Sequence, residues 1–209
     1  MTEFYTNAVK ELKNIYDSLN KKYYNNELPE VVITIQSSPK GKAYGWFAPD
    51  RWGIQADEEQ VFHEINISAE HLSRPLANLC ATVNHEMVHL YCRVNDIKDT
   101  SNGNVYHNKK FKEEAEQRDL IIEKAQTIGW SVTTPTEQFI EYVQSLNVNE
   151  DNFKFFRKIP MGKGKETKKG GTKKTTKYVC GCGCEVRGEI GLEMTCQKCN
   201  SPFVSKDMT

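Results

Sequence analysis

The chain has 209 residues, and its 28 Lys+Arg balance 28 Asp+Glu to a formal net charge of zero. This length suits one domain with an appendage or two small domains, and it excludes a large multidomain assembly. With 38% hydrophobic and 27% charged residues, the chain can bury a core, which excludes a wholly disordered protein. Because no apolar run approaches about 18 residues and no export signal opens the chain, we expect a soluble cytoplasmic protein without membrane contact, nucleoid-associated if the source is bacterial or phage.

The charges are segregated along the chain. Residues 1–153 carry 15 basic and 23 acidic side chains, whereas residues 154–177 carry 10 basic side chains and only Glu166 as an acid. A basic segment beside an acidic body is typical of a tethered patch for a polyanion, although a solvated linker explains the same charges equally well. Since nothing apolar repeats in residues 161–177, we interpret residues 154–177 as a basic flexible linker.

The first half of the chain predicts a helix and a small sheet. Apolar residues at three- and four-residue steps indicate a helix over residues 7–24, and Pro29 then marks a break. Residues 31–36, 44–47 and 61–68 are rich in β-branched or alternating apolar side chains, so we expect three strands there.

The second half predicts mostly helix. Ser73 is a plausible N-cap for a long helix whose apolar face runs from Leu76 to Val94. Residues 95–106 are rich in turn formers and should be a loop, and residues 108–127 should be a further helix ending at Gly129.

A last helix should begin with a capping box. Thr134 would be the cap, Pro135 the first helical residue and Glu137 the third. The order of helix, strands and helices indicates an α+β domain.

The long central helix carries the H-E-x-x-H motif His85-Glu86-Met87-Val88-His89. Residues four apart lie on one helical face, so both imidazoles can grip one zinc ion with the Glu86 carboxylate beside it. Such a site needs an open position for water and a carboxylate that takes the water proton. We therefore expect His85 and His89 to be zinc ligands and Glu86 to be the catalytic base.

A third protein ligand must follow the motif. We favour His107, because the turn-forming residues 101–104 let the chain double back and bring the start of the next helix over the metal. Three glutamates compete with His107 for this role, and we interpret them more simply as solvated charges: Glu113, Glu114 and Glu116. His63 and His71 are expected to be structural or surface residues.

The stretch HEMVHLYCRVNDIKDTSNGNVYHNKKFKEEAE resembles the SprT-like family of Spartan-type zinc metalloproteases. The resemblance extends through LPEVVITIQ, AYGWFAP, EINIS, YHNKKFK, the Gly129-Trp130 pair and a terminal cysteine cluster. It implies a compact zincin-like fold with His85, His89 and His107 as ligands of a catalytic Zn²⁺. The Spartan branch is associated with cleavage of proteins crosslinked to DNA, so the resemblance also implies a role in DNA-protein crosslink repair.

Five of the seven cysteines crowd the end of the chain, where their spacing favours a second, structural Zn²⁺ over disulfides. Cys196 and Cys199 form a CxxC pair, while the earlier cluster offers three thiols for two positions. The family resemblance favours Cys180 and Cys182, and Cys184 is the competitor for the Cys182 position. We expect a zinc ribbon over residues 178–209, after a SprT-like zincin domain over residues 1–153.

Two functional hypotheses follow. The first is a zinc endopeptidase that acts on proteins associated with or crosslinked to DNA, pairing an extended substrate with the strand at residues 61–68. Its partners would be a protein substrate and DNA, bound as single strands or without sequence specificity. The second is a nucleic-acid-binding transcription accessory protein whose metal site is structural or inactive.

Overall fold

The chain divides into two compact units, Met1–Ile159 and Pro160–Thr209. It is seen here in a computed structural model that describes residues 3–38, 43–55, 57–158 and 175–205. No described helix combines the length and the apolar character needed to cross a membrane.

The first unit is a mixed α+β structure. Its described helices are α1 Glu3–Tyr23, α2 Leu76–Val94, α3 Lys109–Glu116 and α4 Glu137–Ser145. Its described strands are β1 Val31–Gln36, β2 Gly45–Ile54, β3 Asp57–Ser68, β4 Thr100–Ser101, β5 Tyr106–His107, β6 Leu120–Ala125 and β7 Gly129–Pro135. These strands form one sheet of order β1-β3-β2 and a second of order β4-β5-β7-β6.

The core of this unit lies where α1 and α2 pack with the first sheet. Leu12 and Leu19 on α1, Met87 on α2, and Ile65 and Ile67 on β3 are all fully buried. The spacing of the α1 and α2 residues places them on the inner faces of their helices, while alternate residues of β3 point to the same side of the sheet. Burial of these faces orients α2, which carries the histidine motif.

The expectation that an extended substrate pairs with residues 61–68 is wrong. These residues belong to β3, which pairs in parallel with β1 and antiparallel with β2. A central strand has both edges occupied by backbone hydrogen bonds, so it has no free edge for another strand. Within the described residues, β2 is an edge strand of this sheet.

The predicted helix over residues 108–127 is also wrong in its second half. The helix α3 ends at Glu116, Asp119 adopts a positive φ of 58°, and residues 120–125 form β6 against β7. Leu120 and Ile122 are buried while Ile121 is exposed, so the apolar period here is two. The strand β7, which sequence patterns did not predict, supplies the partner that makes this strand possible.

Both predicted helix caps are wrong by two residues. The residue that precedes α2 is Pro75 rather than Ser73, and it makes no side-chain cap hydrogen bond. The cap of α4 is Thr136 rather than Thr134, and its hydroxyl accepts a hydrogen bond from the Phe139 backbone N–H. Thr134 and Pro135 instead end β7.

The other predicted element boundaries differ less from the observed ones. The first helix begins earlier than predicted, at Glu3, and β1 covers the predicted residues 31–36. The second and third strands are longer than predicted, and the predicted loop at residues 95–106 includes the short strand β4 and the first residue of β5.

The second unit is a small antiparallel sheet with cysteine-bearing turns. Its described strands are β8 Thr175–Val179, β9 Glu185–Glu189 and β10 Val204–Ser205, in the order β10-β8-β9. The predicted linker mostly coincides with residues 159–174, which lie outside the described residues. Its last three residues belong to β8, where Lys177 forms an ion pair with Glu185, so the sheet begins before the expected ribbon start at residue 178.

Candidate metal centre and active site

The helix α2 presents His85, Glu86 and His89 toward the first sheet and a neighbouring cleft. The close approach of β2 to this helix depends on Gly45. A Cβ at that position would lie 2.8 Å from the Asn66 carbonyl oxygen and 3.0 Å from Cγ2 of Thr82. Since real Cβ atoms essentially never come this close to other atoms, glycine is needed for the packing of β2 beside Glu86.

Three imidazoles converge on one point. The Nε2 atom of His107 lies 3.2 Å from Nε2 of His85 and 3.1 Å from Nε2 of His89. Zn–N bonds of about 2.0–2.1 Å in tetrahedral geometry place ligand nitrogens about 3.3 Å apart. The observed spacing therefore fits a single zinc ion.

The other ring nitrogen of each histidine has its own partner. Nδ1 of His89 lies 2.5 Å from the Asp99 carboxylate, and Nδ1 of His107 lies 3.1 Å from the carbonyl oxygen of Ile128. Nδ1 of His85 lies 2.7 Å from the Thr133 hydroxyl, which itself donates to the Ser131 carbonyl.

These partners determine the tautomers. The carboxylate and the carbonyl are acceptors, so His89 and His107 donate from Nδ1. The Thr133 hydroxyl can donate to the Ser131 carbonyl at 3.4 Å, which leaves its oxygen free to accept from Nδ1 of His85 in the same way. Each Nε2 then carries a lone pair, and three lone pairs face the same point. Such an arrangement is repulsive without a cation and is the geometry that a metal ion requires.

The sequence predicts that His107 lies at the start of a helix, whereas the structure places it in a strand. It lies in β5, and both its backbone N–H and its ring bond to the Ile128 carbonyl. The next residue, Asn108, caps α3 by accepting hydrogen bonds from the backbone N–H groups of Lys110 and Phe111. The strand and the cap together fix the ring of His107.

Phe111 forms the floor beneath the three histidines. Its ring centroid lies 4.6 Å from His85, 4.6 Å from His89 and 4.7 Å from His107, and the side chain is fully buried. The apolar floor holds all three rings and keeps water away from one side of the site. The rival glutamates on the same helix do not join this cluster: Glu114 pairs with Arg118, Glu116 with Lys112, and Glu113 is exposed.

Burial controls the protonation of these groups. It lowers the pKa of His85 well below the usual value, with further lowering by the neighbouring histidines, and it lowers the pKa of His107 to about 4. Both rings are therefore neutral at pH 7, as metal ligands must be. Burial also raises the pKa of the Glu86 carboxyl to about 7, although His89 and the Phe47 backbone N–H act in the opposite direction.

A cleft of about 950 Å³ opens onto the histidines and Glu86. Its lining includes Gly45, Trp46 and Phe47 of β2 and Val132 and Thr133 of β7. A cleft lined by an edge strand can accept an extended peptide. His63 and His71 lie elsewhere, as expected: His63 bonds to the Asp50 backbone N–H, and the His71 ring packs on Tyr44.

The terminal cysteines converge in the second unit. The sulfurs of Cys180, Cys182, Cys184 and Cys196 all lie within 4.8 Å of one another. Sγ of Cys182 lies 3.3 Å from that of Cys180 and 3.8 Å from that of Cys196, close to the spacing of about 3.8 Å that Zn–S bonds of about 2.3 Å require. This donor set fits zinc.

The fifth sulfur, that of Cys199, lies 2.8 Å from the Ser201 hydroxyl. Hydrogen bonds from the Ser201 side chain and backbone lower the pKa of the Cys199 thiol to about 6, which favours the thiolate that binds metal. Five sulfurs are thus near a site that needs four. Among the described residues, the four-sulfur group includes Cys184 and does not include Cys199, whereas the sequence predicts Cys199 in the set. The preference for Cys182 over Cys184 stays a prediction.

The residues that orient the histidines were not predicted from the sequence. Asp99 and Thr133 lie on segments that carried no periodic signal, and Ile128 contributes only a backbone carbonyl. Phe111 lies within the helix predicted over residues 108–127, and that prediction gives it no role at the site. An acidic residue within the loop between the two histidine segments is the one signal that could have drawn attention to Asp99.

The family model of the SprT-like family matches residues 12–127, which is more than half of the chain and includes all three histidines and Glu86. The chain belongs to the SprT-like family. No curated protein and no solved structure matches the chain. Membership of this family indicates a metalloprotease-type function, and the two donor sets, one of imidazoles and one of thiols, fit zinc.

Proposed function

We propose that this chain is a zinc-dependent endopeptidase of SprT-like type with a zincin-like catalytic domain, and that it cleaves proteins associated with or crosslinked to DNA. The observation that carries the proposal is the convergence of three Nε2 lone pairs beside the Glu86 carboxyl in an open cleft. His85, His89 and His107 would hold the catalytic ion. Four cysteines of the second unit would hold a structural one.

The ion, when bound, supplies Lewis-acid activation of the scissile carbonyl and of the attacking water. Glu86 accepts a proton from this water and delivers it to the departing amine. Burial raises the pKa of the Glu86 carboxyl above its usual value, which makes the carboxylate a better proton acceptor. Asp99, Thr133 and the Ile128 carbonyl keep the three imidazoles in the orientation that these steps need.

The substrate binds as an extended segment along the free edge of β2. Gly45, Trp46 and Phe47 line the cleft beside Glu86, so backbone pairing there brings a peptide bond next to the histidines. The open edge of β2 replaces the central strand β3 as the docking strand.

The DNA-associated substrate class is supported by the charge distribution. Ten basic side chains lie between residues 154 and 177, following an acidic catalytic unit. Such a segment attracts phosphates by a salt-sensitive and largely sequence-independent interaction, and it brings the cleft close to proteins on the same nucleic acid.

The test is digestion of a DNA-binding protein by the wild type and by Glu86→Gln. We expect the variant to keep both zinc ions and to lose activity by at least about 1,000-fold, because the general base is gone. Glu113→Gln, a matched change of an exposed glutamate on α3, should retain full activity. Equal digestion by Glu86→Gln and wild type would refute the peptidase assignment and favour the accessory protein.

The role of DNA is tested by adding single-stranded DNA to the same assay, where we expect it to stimulate cleavage by the wild type. Replacement of six linker lysines by serine should remove this stimulation while the basal rate persists. The six residues are Lys163, Lys165, Lys168, Lys169, Lys173 and Lys174. Unchanged stimulation in that variant would contradict a role for the basic segment.

A further inference from the structure

The lining of the catalytic cleft includes a guanidinium that the proposed chemistry does not use. Arg74 precedes α2 and lines the cleft together with Tyr44, Asn78 and Thr82. The side chain is partly buried, and desolvation lowers its pKa from the usual value.

Three contacts hold this guanidinium in place. Nε of Arg74 donates to the His71 carbonyl at 3.0 Å, and one terminal nitrogen donates to the Thr82 hydroxyl at 2.8 Å. The guanidinium carbon lies 4.1 Å from the centre of the Tyr44 ring, a cation–π contact. A guanidinium has five N–H donors, and bonds to the described residues use two of them, so three donors are left for another acceptor.

The charge of Arg74 has no counter-ion among the described residues. The other arginine of the cleft, Arg93, pairs with Asp50 at 2.8 Å, and the cleft carboxylate Asp99 is hydrogen-bonded to His89. Arg74 forms no ion pair with a described carboxylate, although it is partly withdrawn from water. An immobilised and unpaired guanidinium in a substrate cleft is a receptor for a planar anion, above all a carboxylate.

The distance from the catalytic residues limits where such a carboxylate can be. Thr82, to which Arg74 bonds, is four residues before Glu86, which corresponds to about 6 Å along the helix. An extended peptide covers about 3.3 Å per residue, so this separation equals about two substrate residues. The anion must come from a substrate residue within about three positions of the cleaved bond.

We propose that Arg74 is a specificity-determining residue that binds a carboxylate of the protein substrate within about three residues of the cleaved bond. The carboxylate belongs to an Asp or Glu side chain or to a free C-terminus. This inference rests on the proposed peptidase function and names a feature of its substrate. Tyr44 and Thr82 hold Arg74 ready for the anion, so little side-chain freedom is lost on binding.

The experiment uses the full-length zinc-loaded protein and matched peptides that carry either Asp/Glu or Asn/Gln at each position near the cut. A second pair has the C-terminus free or amidated, which separates the two sources of the carboxylate. For the wild type we expect kcat/KM to be roughly 10- to 100-fold higher for the acidic member of one pair. Arg74→Gln should reduce this ratio to about one, and Arg74→Glu should favour a peptide with Lys at that position.

The control is Arg93→Gln, which removes the arginine whose charge Asp50 already neutralises. It should leave the ratio unchanged. If Arg74→Gln proves unstable, Arg74→Lys is the second variant to test. It keeps the charge and should retain part of the preference for the acidic peptide. An unchanged ratio in a folded Arg74 variant would overturn the proposal, and so would loss of single-stranded DNA binding without any change in the peptide ratio.

Peptide binding to Glu86→Gln, measured by fluorescence anisotropy, separates this inference from the proposed function. Tighter binding of the acidic peptide that disappears in the Glu86→Gln, Arg74→Gln double variant supports the carboxylate site even without hydrolysis. Equal binding of the acidic and amide peptides overturns the site, even if the wild type digests proteins.

Discussion

Asp99 is the residue that most directly orients a candidate zinc ligand, through its hydrogen bond with Nδ1 of His89. A carboxylate in this position fixes the ring and increases its basicity, and loss of such a partner typically weakens metal affinity 10- to 100-fold, or by about 1.4–2.7 kcal/mol. We expect Asp99→Ala to show this loss in competition with a zinc chelator. Asp99→Asn should lose less, because its amide oxygen can still accept the hydrogen bond.

The matched control for Asp99 is Asp96→Asn. Asp96 is exposed in the same loop and has a positive φ of 54°, which asparagine tolerates well. This variant should bind zinc as the wild type does. Equal affinities of Asp99→Ala and Asp96→Asn would show that His89 does not need its carboxylate partner.

Tyr24 links stability to alkaline pH. Its hydroxyl is buried and donates to Oδ1 of Asn84 at 2.8 Å, and burial raises its pKa well above the model-compound value of 10.0. The unfolded chain therefore releases the tyrosine proton at a lower pH than the folded chain. The contribution of this group to the free energy of unfolding is fully present below about pH 10 and declines as the pH rises above that value.

Urea unfolding at pH 8 and at pH 10.5 measures this effect. The midpoint of the wild type should fall at the higher pH, and Tyr24→Phe should show a smaller fall because phenylalanine does not ionise. Much of the fall should persist in the variant, since burial also raises the pKa of the Cys80 and Cys92 thiols to about 12 and raises the pKa of Tyr16 and of Tyr23. An identical fall in both proteins would contradict a buried, neutral Tyr24.

At the scale of elements, the contact between β2 and α2 determines where the cleft opens. Gly45→Ala would force a Cβ within 3.0 Å of two atoms and 3.4 Å from Cγ of Glu86. We expect a destabilisation of about 1–3 kcal/mol, typical of overpacking, together with loss of activity. In the same strand, Gly53→Ala meets no atom closer than 3.9 Å and is the control.

Thermal and urea unfolding of both variants check the prediction. Gly53→Ala should be within about 0.5 kcal/mol of the wild type, because its site is open. If both glycine variants have the same stability and activity, then β2 does not need its close approach to α2.

The second sheet illustrates why elements were harder to predict than residues. Residues 108–127 contain apolar side chains at both helical and alternating spacings, so periodicity alone did not separate α3 from β6. Residues 120–125 form a strand because β7 pairs with them along residues 129–135, and β7 also pairs with β5 at His107. A strand needs a partner, and the sequence patterns did not predict β7, although only three residues separate it from the end of β6.

At the scale of the whole molecule, the two compact units should hold their metals independently. A chain of residues 1–158 contains every residue of the imidazole site and none of the terminal cysteines. We expect it to fold and to bind one zinc ion per chain, whereas the full chain binds two. Metal analysis after gel filtration, with circular dichroism for folding, measures both quantities.

His85→Ala provides the complementary variant within the full chain. It removes one imidazole and leaves the cysteine cluster intact, so it should also retain about one zinc ion per chain. A shortened chain that fails to fold, or a His85→Ala chain that loses both ions, would contradict the independence of the units.

The sequence by itself determined the spacing of the candidate metal ligands. His85, Glu86 and His89 are joined by one helical turn, so their proximity follows from local geometry alone. The same holds within each terminal cysteine group, Cys180 to Cys184 and Cys196 to Cys199, whose members lie two to four residues apart. Membership of the SprT-like family rests on residues 12–127, which include the helical motif.

The tertiary structure alone decided what surrounds these residues. His107 reaches the helix only because β5 pairs with β7, and Asp99, Thr133 and Phe111 meet the imidazoles from three separate elements. The edge position of β2, and the lack of a described carboxylate beside Arg74, likewise depend on which elements become neighbours. Contacts between distant segments are set by the burial of whole helix and sheet faces, and no short sequence pattern encodes that packing.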